Sequence, residues 1–469
     1  MLRRITALCL GGTSVLALAG CMVVGPDPVA PAIETPPAYV GENHTESWDM
    51  PEPDATVQAW WETLDDPALT ELLEAVRSEN LDVESAFLNL ALVRQQEIAT
   101  RANLFPTLDA FLDENLSFDL SDGDGLSDNT SLGLGLSYDV DIAGRNQRQL
   151  EAAQAAIEAA YFNLQNIQRL ITQTAAQQYI ELKRTSARLA LLDTTLELQQ
   201  RTLDIVNARF EVGIAPALDV DRAASDLAQS RSQRFTLEAA RETALFSLNL
   251  LRAGYPEPVD TQLNEIDETV PVFASYPDPG IPADLIRNRP DVRAAEAELV
   301  AELARIGVEE ADLYPSLTLP GQISASAGNG DLLSSAILSV GASLDLPIFD
   351  AGRRKAEVEA QRIRAEAALV SWRSSILTAV VEVESALTQI DALERQLEQQ
   401  EIGVERSESA YRQLDALYRE GLSSFIDVLD AQRTLISRRE SIINTRAQLA
   451  SSVVELYAAL GYSGENAAG

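Results

Sequence analysis

Cys21 is the residue best placed to undergo chemistry, because it follows Leu18-Ala19-Gly20 at the end of an apolar run that begins just after Arg3 and Arg4. That layout is an export signal over residues 1–20 ending in a lipobox. Cleavage before the cysteine frees a thiol for alkylation, so diacylglycerol and palmitate are expected at Cys21. Cys9 lies in the segment removed, which leaves the mature chain one thiol and no disulfide framework. The single histidine, His44, sits in a Pro-rich stretch, and the chain has no Gly-rich phosphate loop. No enzyme class and no cofactor is expected from such a set. Asp122, Asp124 and Asp128 lie close together but lack the downstream bidentate Glu of a calcium loop. The methionines, Met1, Met22 and Met50, form no soft-ligand cluster for copper or silver.

The elements around these residues are written in the composition. The chain of 469 residues is rich in Ala, Leu, Glu, Gln and Arg and carries 6% aromatic residues, so long helices are expected. A formal net charge of −36 excludes nucleic acid as a partner, since phosphates would be repelled. That charge is explained either by a solvated surface or by an acidic lumen. Beyond the signal no apolar run approaches the ~18 residues of a spanning helix, so any membrane crossing by the mature chain requires a closed β-barrel.

The chain is written twice. Asn80-Leu81-Asp82-Val83 recurs as Arg289-Pro290-Asp291-Val292, and Leu104-Phe105-Pro106-Thr107-Leu108 recurs as Leu313-Tyr314-Pro315-Ser316-Leu317, both 209 positions later. Ala143-Gly144-Arg145 returns as Ala351-Gly352-Arg353 and Phe210-Glu211-Val212-Gly213 as Tyr418-Arg419-Glu420-Gly421, both 208 positions later. An offset that changes by only one residue over that span predicts the same supersecondary unit in each half, over 67–252 and 282–460. An N-terminal segment (21–66), a linker (253–281) and a tail (461–469) flank them.

Within each unit the hydrophobic period changes. Strict alternation predicts two strands per half, at about 107–119, 131–142, 316–327 and 336–347. These have the length of strands that cross a bilayer at a tilt. The polar stretches Asp119–Asn129 and Gly328–Asp331 read as hairpin loops. From about Gly144 to Val212, and from Gly352 to Glu420, there is no proline, and apolar residues recur at steps of three and four. Each would be a helix of roughly 100 Å. Shorter helical runs are expected at Pro67–Leu104, Pro216–Leu251, Pro282–Leu313 and Ser424–Leu460. The turns at about 212–217 and 420–425 place Gly213, Ile214, Ala215 and Gly421, Leu422, Ser423 between helices, with glycine as a left-handed cap.

Four strands cannot close in lipid, so copies must associate. A dimer would give eight strands, whose barrel is filled by its own side chains; a trimer gives twelve and leaves a lumen. At this point the chain resembles a TolC-family outer-membrane efflux protein, in the NodT/OprM-like lipoprotein branch that serves resistance-nodulation-division pumps. The resemblance rests on Cys21 with Val24-Gly25-Pro26-Asp27, on Trp60-Trp61 with Asp66-Pro67-Ala68-Leu69, and on Arg289-Pro290-Asp291-Val292. It continues through Leu346-Pro347-Ile348-Phe349-Asp350 and Leu429-Asp430-Ala431-Gln432-Arg433. Pro28 and Ile142-Ala143 depart from the family pattern locally.

The resemblance implies a mostly α fold with a twelve-stranded barrel, shared by a homotrimer, on a coiled-coil periplasmic tunnel with an equatorial collar near 30–66, 253–281 and the C-terminus. Met22 after the cysteine is compatible with sorting to outer-membrane lipid. The resemblance also implies that the two turns meet a periplasmic adaptor (membrane fusion protein), that Ile426 and Asp430 line the periplasmic aperture, and that an inner-membrane pump delivers the cargo. A second reading from another class is a periplasmic coiled-coil adaptor or structural lipoprotein without a pore. An adaptor is expected to carry one helical hairpin between lipoyl-like domains, not two equal halves.

Overall fold

The computed structural model describes residues 22–33, 35–41, 59–64, 66–119, 125–255, 269–273, 276–328 and 331–462. Cys21, His44, Asp122, Asp124 and the C-terminal part of the expected tail lie outside these residues. Contacts divide the chain into two compact units. One is drawn from Met1–Ile33, Leu88–Tyr161 and Ala294–Ser374, the other from Glu34–Phe87, Phe162–Arg293 and Ser375–Gly469.

The first half contains α1 (Pro67–Glu79), α2 (Leu81–Ala102), β1 (Thr107–Asp119), β2 (Gly125–Val140), α3 (Arg145–Glu211) and α4 (Ala217–Leu251). The second contains α5 (Pro282–Asn288), α6 (Pro290–Ala311), β3 (Ser316–Gly328), β4 (Asp331–Val340), β5 (Ser343–Asp345), α7 (Arg353–Arg419) and α8 (Phe425–Ala459). Lengths recur: α3 and α7 each have 67 residues, α4 and α8 35, α2 and α6 22, and β1 and β3 13. No helix among the described residues is long and apolar enough to cross a membrane.

Two expected helices are each broken in two. Residues 67–104 part at Asn80, whose extended backbone ends α1 while its Oδ1 accepts from the Asp82 and Val83 N–H groups that open α2 (2.9 and 3.2 Å). The side chain thus caps the second helix by satisfying donors with no helical partner. Residues 282–313 part at Arg289, because Pro290 disfavours the helical conformation in the residue before it, and Arg289 is extended (φ −79°, ψ 120°).

All strand pairs are antiparallel, in the order β1-β2-β3-β4, with β5 also on β3. The strand expected at 336–347 is displaced: β4 starts at Asp331 and ends at Val340, and β5 resumes at Ser343. Opposite the interruption stands Pro320, which has no N–H for the ladder, while Gly341 N–H donates to the Pro320 carbonyl at 2.9 Å. Part of the expected Asp119–Asn129 loop is strand, since β2 begins at Gly125 and pairs it with Asp119. Asp128 is a residue of that strand.

Candidate functional site

The first unit holds the sheet. Register decides which side chains share a face, and it brings like with like. Leu108 lies opposite Leu136, Leu112 opposite Leu132, Leu134 opposite Ile323, Tyr138 opposite Leu319 and Ile323 opposite Leu338. The other face receives Asp109 with Gly135, Asp113 with Ser131, Asp139 with Thr318, and Ser326 with Ser335. Asp139 accepts from the Thr318 hydroxyl at 2.7 Å, and the Ser326 and Ser335 hydroxyls are 2.7 Å apart. On this polar face the Phe111 ring covers Gly133, where a Cβ would fall 2.5 Å from Phe111 Cζ. The apolar face has no cover: Leu112 is 69% and Leu338 73% exposed. A one-residue slip would exchange the two faces, so this register is set by a demand for one apolar surface.

The same unit seats the segment that follows Cys21. Val24 N–H donates to the Ala143 carbonyl (3.1 Å) and Met22 N–H to that of Ile142 (3.3 Å). The buried Arg148 guanidinium donates to the carbonyls of Val24 (3.0 Å) and Gly25 (3.3 Å). Gly25 has φ +90°, and a Cβ there would lie 2.5 Å from Gly307 Cα, so the segment crosses α6 backbone to backbone. Sequence reasoning missed Arg148 and Gly307. The available signal was a glycine inside an otherwise regular helix, which costs roughly 1 kcal/mol against alanine unless something packs on it.

The second unit contains both helix-to-helix turns, and each is built identically. Gly213 has φ +75° and Gly421 φ +80°. Ile214 N–H reaches back to the Arg209 carbonyl and Leu422 N–H to that of Leu417, both at 2.8 Å, the longer bond of a Schellman cap. The first turn starts α4 with Pro216. The second starts α8 with Ser424, whose N–H and hydroxyl both donate to Asp427. Arg209 joins the turns: Nη1 donates to the Tyr418 carbonyl (2.7 Å) and the guanidinium lies 4.5 Å from the centre of the Tyr418 ring. The turns expose Val212, Ile214, Leu218 and Leu422, while Ala215 and Ser423 are half-buried.

Beneath them Val206, Ala223, Tyr418, Phe425, Val428 and Leu429 form a core, and the half-buried Ile426 packs against it. Asp430 is exposed and lines an open groove of about 430 Å³ with Asp427, Leu414 and Thr434. Its carboxylate is 3.8 Å from Arg433, which forks onto Asp226 (Nε to Oδ2, 2.9 Å). Within one chain, then, Ile426 belongs to the core of the hairpins and only Asp430 faces open space.

Elsewhere in this unit Arg289, 1% exposed, grips Asp291 with two nitrogens (2.9 and 2.6 Å), Glu382 (2.6 Å) and the Ala459 carbonyl (3.0 Å). Arg169 donates to the Ala458 carbonyl at 2.9 Å. Two cations thus close the C-terminal end of α8, where carbonyls lack helical partners. Burial raises the Asp291 carboxyl, but hydrogen bonds and charge from Arg289, with Arg169 alongside, outweigh it and hold the group below the ordinary carboxylate range. No group of three or more metal-ligating side chains occurs among the described residues.

Comparison with known proteins agrees with this geometry. The family described as "Outer membrane efflux protein" matches the chain twice, over residues 72–254 and 281–462. Nodulation protein T of Rhizobium leguminosarum bv. trifolii is 31% identical over 459 residues, covering 96% of each chain. The solvent efflux pump outer membrane protein SrpC of Pseudomonas putida is 30% identical over 468 residues, again 96% of each. Among solved structures, the outer-membrane channel OprN superposes with a TM-score of 0.86 at 29% identity, covering 94% of this chain and 100% of that one.

Proposed function

This chain belongs to the outer membrane efflux protein family, and we propose that three copies join their sheets edge to edge into a twelve-stranded barrel continuous with a helical periplasmic tunnel. It is an efflux channel of the outer membrane. The observation that carries the rest is the register, which gathers most of the exposed leucines with Ile323 and Val340 on one face and most of the Ser, Gln, Thr and Asp residues on the other, Ile337 on the polar face and Glu114 and Asp128 on the apolar one being the exceptions. An apolar face of that kind is stable against lipid and costly in water. β1 and β4 end the sheet, and lipid offers nothing to pair with their outer N–H and C=O groups, so only further copies can complete them.

In this reading Cys21 carries diacylglycerol and palmitate, and the seat around Val24 and Gly25 holds the chain next to that anchor. An inner-membrane resistance-nodulation-division pump supplies cargo through a periplasmic adaptor. The exposed apolar residues of the turns, Ile214 and Leu422 foremost, give the adaptor its contact. Ile426 and Asp430 stand at the periplasmic aperture, where three copies of Asp430 would repel one another and favour a solvated or cation-bound ring. The pore-free adaptor reading is disfavoured by the family match and by the two-faced sheet. Planar bilayers test the proposal: purified, detergent-extracted protein is expected to insert and give discrete conductance steps. Binding to vesicles without any conductance would overturn it.

A further inference from the structure

The segment that leads back to Cys21 meets the sheet at one place. Val24 is buried with Ala143, which follows β2, and with Ala311, the last residue of α6 before β3. Gly25 lies against Gly307 of α6, and Arg148 of α3 holds the Val24 carbonyl. These contacts fix the segment sideways, beside the ends of β2 and β3, two strands that pair from Asn129–Gly328 to Val140–Leu317. Depth is fixed as well. Followed backwards from Val24 to Met22, the hydrogen bonds move from the Ala143 carbonyl to that of Ile142, toward the end of β2 at Val140. Cys21 is bonded to Met22, so acyl groups on it start within about 3.8 Å of chain from that point.

The sheet surface that begins there suits hydrocarbon. On its apolar face Val140 stands opposite Leu317, Tyr138 opposite Leu319 and Leu134 opposite Ile323, and all six are half-buried or exposed. Among the described residues, the charged side chains of that face, Glu114 and Asp128, stand beyond Leu112 and Leu132, in the half away from the seat. Half of a hydrocarbon core of ~30 Å is about 15 Å, which about six residues span along a strand tilted by ~45°. Val140 to Leu134 is a run of that length. The polar face offers hydrocarbon no equivalent, because covering its Ser, Thr and Asp side chains would desolvate groups left without partners.

We infer that the strip formed by Val140–Leu134 on β2 and Leu317–Ile323 on β3 is the binding site for the protein's own acyl chains, which lie along this seam instead of mixing freely into the bilayer. Burial of apolar area supplies the attraction. Any membrane lipid offers the same chemistry, but a chain tethered beside the strip binds at a far higher effective concentration than one that must diffuse to it. The seat around Val24 and Gly25 is what fixes that tether. The inference rests on the reading of Cys21 as the lipid-bearing residue and adds the place where its chains go.

A photoreactive side chain on the strip tests this. The full chain is made in cells fed an alkyne-tagged fatty acid, with p-benzoylphenylalanine in place of Tyr138 or, in a second variant, Leu319. Phe118, near the far end of the same face, and Leu108, at the start of β1, serve as reference positions. Outer membranes are irradiated and digested. The expected product is the tagged N-terminal peptide joined to the peptide that carries the probe, in several-fold higher yield from Tyr138 and Leu319 than from either reference. Equal yields at all four positions, or tagged protein that joins at neither Tyr138 nor Leu319, would overturn the inference and leave the anchor standing. Gly307→Ala supplies a second arm, since its Cβ would fall 2.8 Å from the Val24 carbonyl oxygen. It should lower the yield at Tyr138 toward the Leu108 level with tagging retained; an undiminished yield would show that the seat does not direct the chains, and overturn the inference. Protein that takes up no tag overturns the lipid-bearing role of Cys21, and the inference with it.

Discussion

At the scale of single residues the largest effect is expected at Arg289, which satisfies four oxygens while almost wholly buried. Arg289→Ala leaves Asp291 short of its partner and a helix terminus uncapped, and removal of one member of a buried pair typically costs roughly 3–5 kcal/mol. Chemical denaturation followed by helical circular dichroism measures it. The same network has a pH signature. The folded-state pKa of Asp291 is depressed, so its stabilisation is complete above the unfolded value of about 3.9 and is lost as pH falls through the lower folded one. Asp291→Asn should flatten that acid limb, and an unchanged limb would show that another carboxylate governs it. At the proposed aperture, Ile426→Ser with Asp430→Ser should raise the resting conductance of planar bilayers, whereas unchanged conductance removes both residues from the gate. The sequence made the turn glycines legible because a left-handed cap is a local property, whereas Asp430 was singled out only by the family resemblance. The roles of Arg148, Arg289 and Gly307 were hidden because Val24, Glu382 and Ala459, which they meet, lie far along the chain.

At the scale of elements the two turns carry the clearest expectation. Gly213 and Gly421 hold left-handed conformations; a Cβ at Gly213 would meet open space, and one at Gly421 only the Arg209 guanidinium at 3.9 Å, so the penalty there is backbone strain without a clash. Gly213→Ala and Gly421→Ala should each cost about 1–2 kcal/mol, measured by denaturation, with helix content preserved. Ile214→Asp with Leu422→Asp, by contrast, should leave stability and conductance intact and abolish retention of the adaptor on immobilised protein. Full retention would move the contact elsewhere. Periodicity alone revealed the 67-residue helices and the alternating strands, because their faces repeat many times. The interruption at Pro320 was not anticipated because it depends on a missing N–H placed across the sheet from Gly341; those at Asn80 and Arg289 had local signals, a capping side chain and the following Pro290, that the hydrophobic period does not register.

At the scale of the whole molecule the argument is one of closure. The sheet of one chain has an apolar face that water penalises and two borders with unpaired backbone, and no rearrangement of that chain alone removes both defects while keeping the observed register. Four alternating segments were legible in the sequence; the short fifth strand β5, and the register that sets most leucines of β1, β2 and β3 against apolar partners, required the structure. The most direct measurement is the protein mass of the particle extracted from outer membranes in mild detergent, by light scattering corrected for bound detergent. Three chains per particle is the predicted result. A particle of one chain that stays soluble when the detergent is removed would contradict the account.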